Sequence, residues 1–149
     1  VAQFLHSGQL KSSARNQYRG RVTRISRGAV NSEIELALSD AISLIAIITN
    51  DSADRMELKQ GCESLALIKS SWVLLSEDIA IRTSARNQLS GVVSQITRGE
   101  VNAEVTLDLD DGKTITAMVT TPSIEEVELT LGKPVCALFK ASSVILMRA

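Results

Sequence analysis

The chain has 149 residues, of which 44% are hydrophobic and 22% are charged, and its formal net charge at pH 7 is −1. This balance is typical of a folded globular protein with one domain or two small ones, and it excludes a disordered chain. The longest apolar stretch, residues 44–48 with Ile42 just before it, is too short to cross a bilayer, and the amino end does not resemble a signal peptide, so we expect a cytoplasmic protein with no membrane partner.

The N-terminal part of the chain is basic. Residues 1–32 contain six bases and no acid, whereas the remaining 117 residues contain 10 bases and 17 acids. Such a segment attracts an anion, either nucleic acid or a small oxyanion. Residues 1–11 precede the repeats described next, and we expect them to form a linker or N-terminal extension.

Two tandem copies of one sequence unit make up the rest of the chain. A shift of 71 residues aligns residues 13–75 with residues 84–146 without a gap, and 28 of the 63 pairs are identical. Both copies begin with Ser-Ala-Arg-Asn-Gln. We therefore expect a first repeat over residues 12–76, an inter-repeat linker over residues 77–83 and a second repeat over residues 84–149.

Apolar residues recur at every second position within each repeat, which predicts half-buried strands. Residues 30–38 of the first copy and residues 101–109 of the second follow this pattern. Asp-Asp-Gly-Lys at residues 110–113 then suits a tight hairpin turn. The first copy has Ala41 in place of that glycine, so we expect its turn to differ.

A short helical segment follows the third predicted strand of each repeat. We predict it over residues 52–58 and 122–129, with Thr121 as the N-cap in the second copy. Five strands and one helical turn per repeat suit a small, nearly closed barrel. The predicted fold class is therefore all-β, with two OB-like five-stranded barrels in tandem. The last two strands of each barrel are predicted at residues 63–69 and 72–75, and at residues 134–140 and 144–147.

The sequence contains no recognisable catalytic constellation. The single histidine, His6, has no partner for a nucleophile pair, and Cys62 and Cys136 form neither a close pair nor a metal-binding motif. We expect both cysteines to be buried thiols and the protein to have no enzymatic activity.

The polar residues that are identical in both repeats require an explanation. For Asn16 and Asn87, a structural role at the start of a strand explains the identity as well as ligand binding does. For Arg15 and Arg86 an anion is the better explanation, because a planar cation with five donors adds little to a turn but fits a tetrahedral oxyanion. Serine hydroxyls, backbone N–H groups and these arginines, together with a lysine of each repeat, would make an anion nest.

At these residues the chain resembles the Mop, or molbindin, domains that bind molybdate and tungstate. The likeness rests on Ser-Ala-Arg-Asn-Gln in both copies, on Gly-Ala-Val-Asn-Ser-Glu and Gly-Glu-Val-Asn-Ala-Glu, and on the lysine-led segments at residues 69–75 and 140–146. It covers residues 12–147. The tandem arrangement is similar to the di-Mop form, which occurs in free-standing molbindins and in the C-terminal sensor region of molybdate-responsive transcription regulators.

The resemblance implies homo-oligomeric OB-like barrels that hold molybdate or tungstate at interfaces between barrels. One barrel would donate the Ser-Ala-Arg-Asn motif, and a neighbouring barrel would complete the site. This implied oxyanion site comprises Ser13, Ala14, Arg15, Asn16, Thr49, Ser52, Lys69 and Ser70, and in the second repeat Ser84, Ala85, Arg86, Asn87, Thr120, Ser123, Lys140 and Ala141. A second kind of site, lined by backbone donors, is implied at Ala29, Val30 and Asn31 and at Glu100, Val101 and Asn102.

The sequence departs from the family pattern at two places. Ser70 and Ser71 stand where the family often has Ala-Pro or Ala-Ser after the lysine, and Glu100 replaces the small residue present at Ala29. A carboxylate beside an anion site is unfavourable. The second kind of site is therefore in doubt in the second repeat.

Within the oxyanion interpretation, two settings remain open. The chain is either the sensor region of a regulator, with a dimer and a DNA-binding domain N-terminal to it, or a storage protein that forms a trimer or larger oligomer. Residues 1–11 resemble the linker of such regulators, which favours the sensor region.

The alternative is an OB-like nucleic-acid-binding module, suggested by the arginines of the first strand. Nucleic-acid OB folds stack bases on aromatic side chains, and this chain has only four, of which we expect Trp72 and Phe139 to pack in the core. We therefore favour the oxyanion. The other two aromatic residues are Phe4 and Tyr18.

Overall fold

The computed structural model describes residues 12–148, so the predicted linker at residues 1–11 lies outside it. Within this range the chain forms ten strands and two short helices. The strands are β1 (Asn16–Arg27), β2 (Asn31–Ala37), β3 (Ser43–Thr49), β4 (Glu63–Ile68), β5 (Leu74–Ser76), β6 (Asn87–Arg98), β7 (Asn102–Asp108), β8 (Thr114–Thr120), β9 (Pro134–Phe139) and β10 (Ile145–Met147). The helices are α1 (Asn50–Arg55) and α2 (Thr121–Glu126), and the 3₁₀ turns are Ser70–Trp72, Asp110–Gly112 and Ala141–Ser143.

The strands form two five-stranded antiparallel sheets. The strand order is β10-β4-β1-β2-β3 in the first sheet and β5-β9-β6-β7-β8 in the second. Their buried positions alternate along β2 and β7, as the period of two in the sequence predicts. The predicted all-β fold with five strands per sheet is confirmed.

Each repeat contributes its last strand to the sheet built by the other repeat. β10 pairs with β4, and β5 pairs with β9. The chain therefore divides into two compact units, of which the second is Lys69–Phe139 and the first comprises the chain up to Ile68 and again from Lys140. The expected boundaries near residues 76 and 84 separate the sequence repeats, and they do not coincide with the boundaries of these folded units.

The core of each unit consists mainly of aliphatic side chains from the inward positions of the strands, and the second unit adds Ile124 of α2 and the ring of Phe139. Burying such side chains stabilises the fold by roughly 1.5–3 kcal/mol each. The largest fully buried ones are Ile34, Leu36, Leu44, Leu65 and Ile68 in the first unit, and Leu107, Ile115, Ile124 and Phe139 in the second.

The turns between the second and third strands of the two repeats differ, as expected from the sequence. In the second repeat Asp110–Gly112 forms a 3₁₀ turn in which Asp111 has a φ of 57°. In the first repeat, where Ala41 replaces the glycine, the turn is not 3₁₀ and none of its residues has positive φ. The hydrogen bond that closes the turn is the same in both, from Leu38 N–H to the Ile42 carbonyl and from Leu109 N–H to that of Lys113.

Both helices begin directly after a strand, earlier than predicted. Thr49 is the N-cap of α1, and its Oγ1 accepts a hydrogen bond of 3.1 Å from the N–H of Ser52. Thr120 takes the equivalent position before α2, so the predicted N-cap at Thr121 is wrong. Thr121 Oγ1 instead donates to the carbonyl of Gly99, at 2.9 Å.

Both helices also end earlier than predicted. Glu57 and Glu128 adopt the left-handed backbone conformation, with φ of 52° and 54°, and a residue in this conformation ends a helix. Each α-helix has only six residues. No helix within residues 12–148 is long and apolar enough to cross a membrane.

A glycine precedes an irregularity near the middle of β1 and of β6, and a neighbouring backbone lies close to that glycine. The register shifts between Val93 and Gln95, with an equivalent shift in β1. A Cβ atom built on Gly91 would lie only 2.5 Å from the carbonyl oxygen of Asp108. No side chain fits there without a backbone shift.

We therefore expect Gly91→Ala to lower the free energy of unfolding by about 1–3 kcal/mol, as overpacking does in other well-packed sites. Urea unfolding of the full chain measures this change. Gln95→Ala, which replaces an exposed residue of the same strand, is the control and should stay within about 0.5 kcal/mol of the unaltered protein. Equal effects of the two substitutions would contradict the close approach at Asp108.

Candidate functional site

The Ser-Ala-Arg-Asn motif of each repeat leads into the first strand of a sheet. Its asparagine is already part of that strand and is buried, with only 4% of Asn16 and 2% of Asn87 exposed. Asn16 pairs with Ile68, and Asn87 pairs with Phe139. A structural role therefore accounts for the asparagines. The arginine before each of them is exposed.

Short-range hydrogen bonds fix the turn that carries the first motif. The N–H of Ala14 donates to Ser12 Oγ at 3.0 Å, and Gln17 Nε2 donates to the carbonyl of Ala14 at 3.2 Å. The methyl group of Ala14 packs against Leu65 and Leu67, which requires a small residue at this position. The turn that presents Ser13 and Arg15 is therefore built into the fold.

The second motif has the same kind of turn. The N–H of Ala85 donates to Thr83 Oγ1 at 3.1 Å, as that of Ala14 does to Ser12. Ser84 and Arg86 are exposed on either side of Ala85. Both repeats thus present a serine and an arginine in the same local arrangement.

The predicted lysines follow the strand residues that pair with these asparagines. Lys69 comes directly after Ile68, and Lys140 comes directly after Phe139. Each lysine begins a 3₁₀ turn, Ser70–Trp72 or Ala141–Ser143, and neither turn has a side-chain cap.

Trp72 is not in the core, so that prediction is wrong. The residue is 38% exposed, and Lys69 Nζ lies 5.4 Å from the centroid of its ring. This distance is typical of a cation–π contact. The second repeat has Ser143 at the corresponding position, which carries no ring.

The predicted threonine and serine pair lies at the junction of the third strand and the helix. Thr49 Oγ1 donates to Ser52 Oγ at 2.9 Å, and the hydroxyls of Thr120 and Ser123 are 2.6 Å apart. In the first unit this pair lines an open groove of about 370 Å³, together with Ser142 from the 3₁₀ turn that follows Lys140.

The strand exchange changes which predicted residues belong to one folded unit. The first unit contains Thr49 and Ser52 together with Lys140 and Ala141, and the second contains Thr120 and Ser123 together with Lys69 and Ser70. The resemblance grouped these residues by repeat. The difference arises because each lysine stands at the point where the chain passes from one unit into the other.

The turn between β1 and β2 carries the residues of the second predicted kind of site. The N–H of Asn50 donates to the carbonyl of Val30 at 2.8 Å, and Asn50 Nδ2 donates to that of Gly28 at 3.0 Å. Within residues 12–148, the N–H groups of Ala29 and Val30 donate to no acceptor.

In the second unit the corresponding turn carries a carboxylate, because Glu100 is exposed at the position that corresponds to Ala29. Asn31 and Asn102 begin β2 and β7, and Val101 is exposed at the tip of the second turn.

An ion pair joins the same turn to the helix in both units. Arg27 donates to both carboxylate oxygens of Asp54, at 2.8 and 3.1 Å, and Arg98 donates to Glu125 at 2.6 Å. The arginine lowers the pKa of each carboxyl group, mainly through these hydrogen bonds. The pairs therefore fix the orientation of the turn relative to the helix.

Most arginines of β1 are engaged within the protein. Arg24 pairs with Glu33 at 3.1 Å, and Arg21 Nη1 donates to the carbonyl of Gly61 at 2.6 Å. With Arg27 held by a carboxylate, the strand does not present a continuous row of cations to nucleic acid.

Base-stacking side chains are also scarce among the described residues. Tyr18 and Phe139 are buried, and burial raises the pKa of the Tyr18 hydroxyl. Trp72 alone among the aromatic residues of the described range is exposed. Within the described residues, the nucleic-acid alternative thus has a single exposed ring, whereas such OB folds stack bases on several aromatic side chains.

The described residues contain no cluster for metal binding, and the two cysteines differ in burial. No group of three or more His, Cys, Asp or Glu side chains within residues 12–148 could hold a metal ion. Cys136 is buried, which raises the pKa of its thiol, whereas Cys62 is only partly buried. The prediction of a buried thiol is therefore confirmed for Cys136 and is wrong for Cys62.

Comparison with known proteins finds a matching domain family and relatives whose names refer to molybdenum. The TOBE domain family matches residues 12–75 and 83–146. The chain is 49% identical over 143 residues to the molybdenum-pterin-binding protein MopA of Rhodobacter capsulatus, covering 95% of this chain and 54% of that protein. It is 44% identical over 143 residues to the molybdenum transport protein ModE of Azotobacter vinelandii, covering 96% and 53%. The chain thus spans about half the length of these relatives.

A solved structure matches the whole fold. The structure of the cytoplasmic molybdate-binding protein ModG, with molybdate bound, superposes with a TM-score of 0.90 at 44% identity. The match covers 94% of this chain and 100% of that chain.

The ion pair between Arg27 and Asp54 predicts a dependence on pH. Its contribution is present above the ordinary pKa of an aspartate, 3.8, and is lost as the pH falls through the lower pKa of Asp54 in the folded protein. Arg27→Gln should raise the pKa of Asp54, which an NMR titration of the side-chain carboxyl carbon measures. Arg24→Gln removes an arginine of the same strand that contacts Glu33 instead, and it should leave Asp54 unchanged. An unaltered Asp54 pKa in the Arg27 variant would contradict the assignment.

Proposed function

Because the chain belongs to the TOBE domain family, of which it carries two tandem copies, we propose that it binds molybdate or tungstate and catalyses no reaction. It acts in the cytoplasm in molybdenum homeostasis. The observation that carries this proposal is the presentation of an exposed serine and arginine by the same preformed turn in both repeats. The overall likeness to molybdate-bound ModG supports it.

The chemistry of these residues fits a tetrahedral dianion. An anion that leaves water needs several donors, because an unpaired buried charge is costly, whereas a hydrogen bond to a charged group contributes about 1.5–3 kcal/mol. Arg15 and Arg86 offer planar guanidinium groups, and Ser13 and Ser84 offer hydroxyl donors. Lys69 and Lys140 add a positive charge at the start of each 3₁₀ turn.

The residues that complete each anion site are grouped by folded unit. In this proposal Thr49 and Ser52 act with Lys140, and Thr120 and Ser123 act with Lys69. The support is that Lys140 belongs to the first unit and that Ser142, two residues after it, lines one groove with Thr49 and Ser52, although most of that groove is lined by apolar side chains. Ser70 and Ala141, the first residues of the two 3₁₀ turns, contribute backbone donors.

The second kind of site uses the turn between the first two strands of the first unit. Ala29 and Val30 present N–H groups that donate to no acceptor within residues 12–148, and the helix side of this turn is held by Asn50. Neutral donors of this kind suit an anion that approaches the turn from solvent. In the second unit the carboxylate of Glu100 opposes this binding.

Binding at interfaces between barrels links the anion to assembly. A ligand that binds only the assembled form stabilises it by about 2.7 kcal/mol per site when its concentration is a hundred times the dissociation constant. The protein is thus a homo-oligomer whose assembly or geometry follows the anion concentration. A dimer fits a sensor region that follows a DNA-binding domain, and a trimer or larger ring fits a storage protein.

Calorimetric titration with molybdate in excess sulfate tests the proposed binding. We expect tight uptake with a defined ratio per chain, and we expect Arg15→Ala combined with Arg86→Ala to abolish it while the barrels stay folded. Arg24→Ala, an arginine of β1 that pairs with Glu33, is the control and should bind normally. Unchanged affinity in the double variant would refute the ligand assignment, and light scattering before and after titration distinguishes a dimer from a larger ring.

The same titration tests the second kind of site. Removal of the carboxylate in Glu100→Ala should raise the number of anions bound per chain, because the second turn then resembles the first. Glu126→Ala removes an exposed carboxylate elsewhere in the same unit and should leave the ratio unchanged. An identical ratio in both variants would show that Glu100 does not limit binding.

A further inference from the structure

The two helices end in the same way and leave the same two carbonyl groups without helical partners. In each unit the left-handed residue, Glu57 or Glu128, ends the helix. The carbonyls of Met56 and Glu57 in the first unit correspond to those of Val127 and Glu128 in the second. Such helix-end carbonyls require donors from elsewhere in the fold.

A cation caps these carbonyls in both units, but it comes from different segments. In the first unit Arg148, the residue after β10, donates through Nη1 to the carbonyls of Met56, at 3.2 Å, and Glu57. The exchanged strand therefore delivers the cation to the sheet on which it docks.

In the second unit the cation belongs to the sheet itself. Lys133, just before β9, donates through Nζ to the carbonyls of Val127 and Glu128, at 2.6 and 3.2 Å. Its third contact, at 2.9 Å, is with the carboxylate of Glu77, the residue after β5. The Lys133 side chain is only 20% exposed, so reversing the charge of its partner would be poorly screened by solvent.

The shift of 71 residues places these charges at matching positions. Glu77 corresponds to Arg148, and Lys133 corresponds to Cys62. In the first unit the docking strand β10 is followed by the cation Arg148, and the receiving sheet has the neutral Cys62. In the second unit the receiving sheet has the cation Lys133, and the docking strand β5 is followed by the anion Glu77. Each docking site is therefore complementary in charge to the strand of the other repeat that it binds.

Backbone geometry alone does not determine this pairing. Only residues 69–73 connect β4 with β5, and five-residue loops are common in hairpins, so a repeat could close its sheet with its own last strand. β5 and β10 are each three residues long and mainly apolar, and they pair with β9 and β4 in equivalent register.

We propose that Glu77 and Arg148, set against Lys133 and Cys62, determine which strand docks on which sheet. Docked on its own sheet, β5 would bring the Glu77 carboxylate to the Met56 and Glu57 carbonyls with no cation between them. Docked on its own sheet, β10 would bring Arg148 to Lys133. Both arrangements are repulsive, and repulsion against the wrong partner is how interfaces achieve specificity. The intended occupant of each docking site is the last strand of the other repeat.

Cross-strand disulfides in the full chain report the pairing. Ser76 lies opposite Cys136 in the β5–β9 pair, so Ser76→Cys should link to Cys136 in the exchanged fold. Met147 corresponds to Ser76, so Met147→Cys should link to Cys136 only when β10 docks on the second sheet. Cys62→Ser removes the other thiol and keeps that position neutral. With native charges we expect the first link to form and the second to be absent after mild oxidation.

Charge reversal should change the pairing. In Glu77→Arg combined with Arg148→Glu, the link from residue 147 should appear and the link from residue 76 should weaken. Lys59→Glu combined with Glu126→Arg exchanges the same charges at exposed positions elsewhere, and it should keep the native pattern. A folded reversed variant with the native cross-links would overturn the proposal.

A second comparison applies even if the reversed variant does not fold. Glu77→Arg alone should lower the urea midpoint, because two cations then meet at Lys133. Adding Lys133→Ser recreates the arrangement of the first unit, with the cation on the strand and a neutral sheet, and should restore most of the loss, although Lys133→Ser alone is destabilising. If the double variant lowers the urea midpoint by as much as the two single variants added together, the proposal is contradicted. Neither measurement involves the oxyanion.

Discussion

The pairing of each repeat's last strand with the other repeat's sheet is the constraint on which the rest of the structure depends. Without β10 the edge of β4 is unpaired, and without β5 the edge of β9 is unpaired. Both β4 and β9 are buried over five successive residues, so an open edge there would expose backbone groups beside apolar side chains. The connections into the exchanged strands also contain the 3₁₀ turns that follow Lys69 and Lys140. Strand exchange and the placement of the predicted lysines are therefore one feature of the fold.

The two units reach the same local geometry with different residues. The turn between the first two strands is tied to the helix by Asn50 in one unit and by Thr121 in the other, and by an arginine and carboxylate pair in both. The turn is thus held from two sides in both units, although some of the residues that hold it differ.

The sequence predicted those parts of the fold that depend on neighbouring residues. The strands, the different turn at Ala41 and the small helices follow from a period of two, a missing glycine and local capping residues. The sequence did not predict that β5 pairs with β9 and β10 with β4, because β5 and β10 have similar apolar sequences and a local pattern does not identify a distant partner. Trp72 was misassigned for a related reason, since an apolar run does not reveal which of its residues faces a lysine. For the candidate site, repetition singled out the exposed arginines, but the regrouping of the lysines follows from the exchange alone.

Strand exchange also sets the order in which the units can be completed during synthesis. All strands of the second unit lie in the continuous segment Lys69–Phe139, whereas the first sheet needs β10, which pairs with residues 65–67. Domains usually complete their folding in order from the N-terminus as the chain leaves the ribosome. Here the unit that begins first is finished last, and its β4 edge stays open until residues 145–147 have been made. The nascent chain therefore carries an unpaired strand edge from the synthesis of β4 until that of β10, and chaperones or a second nascent chain have access to it in this interval.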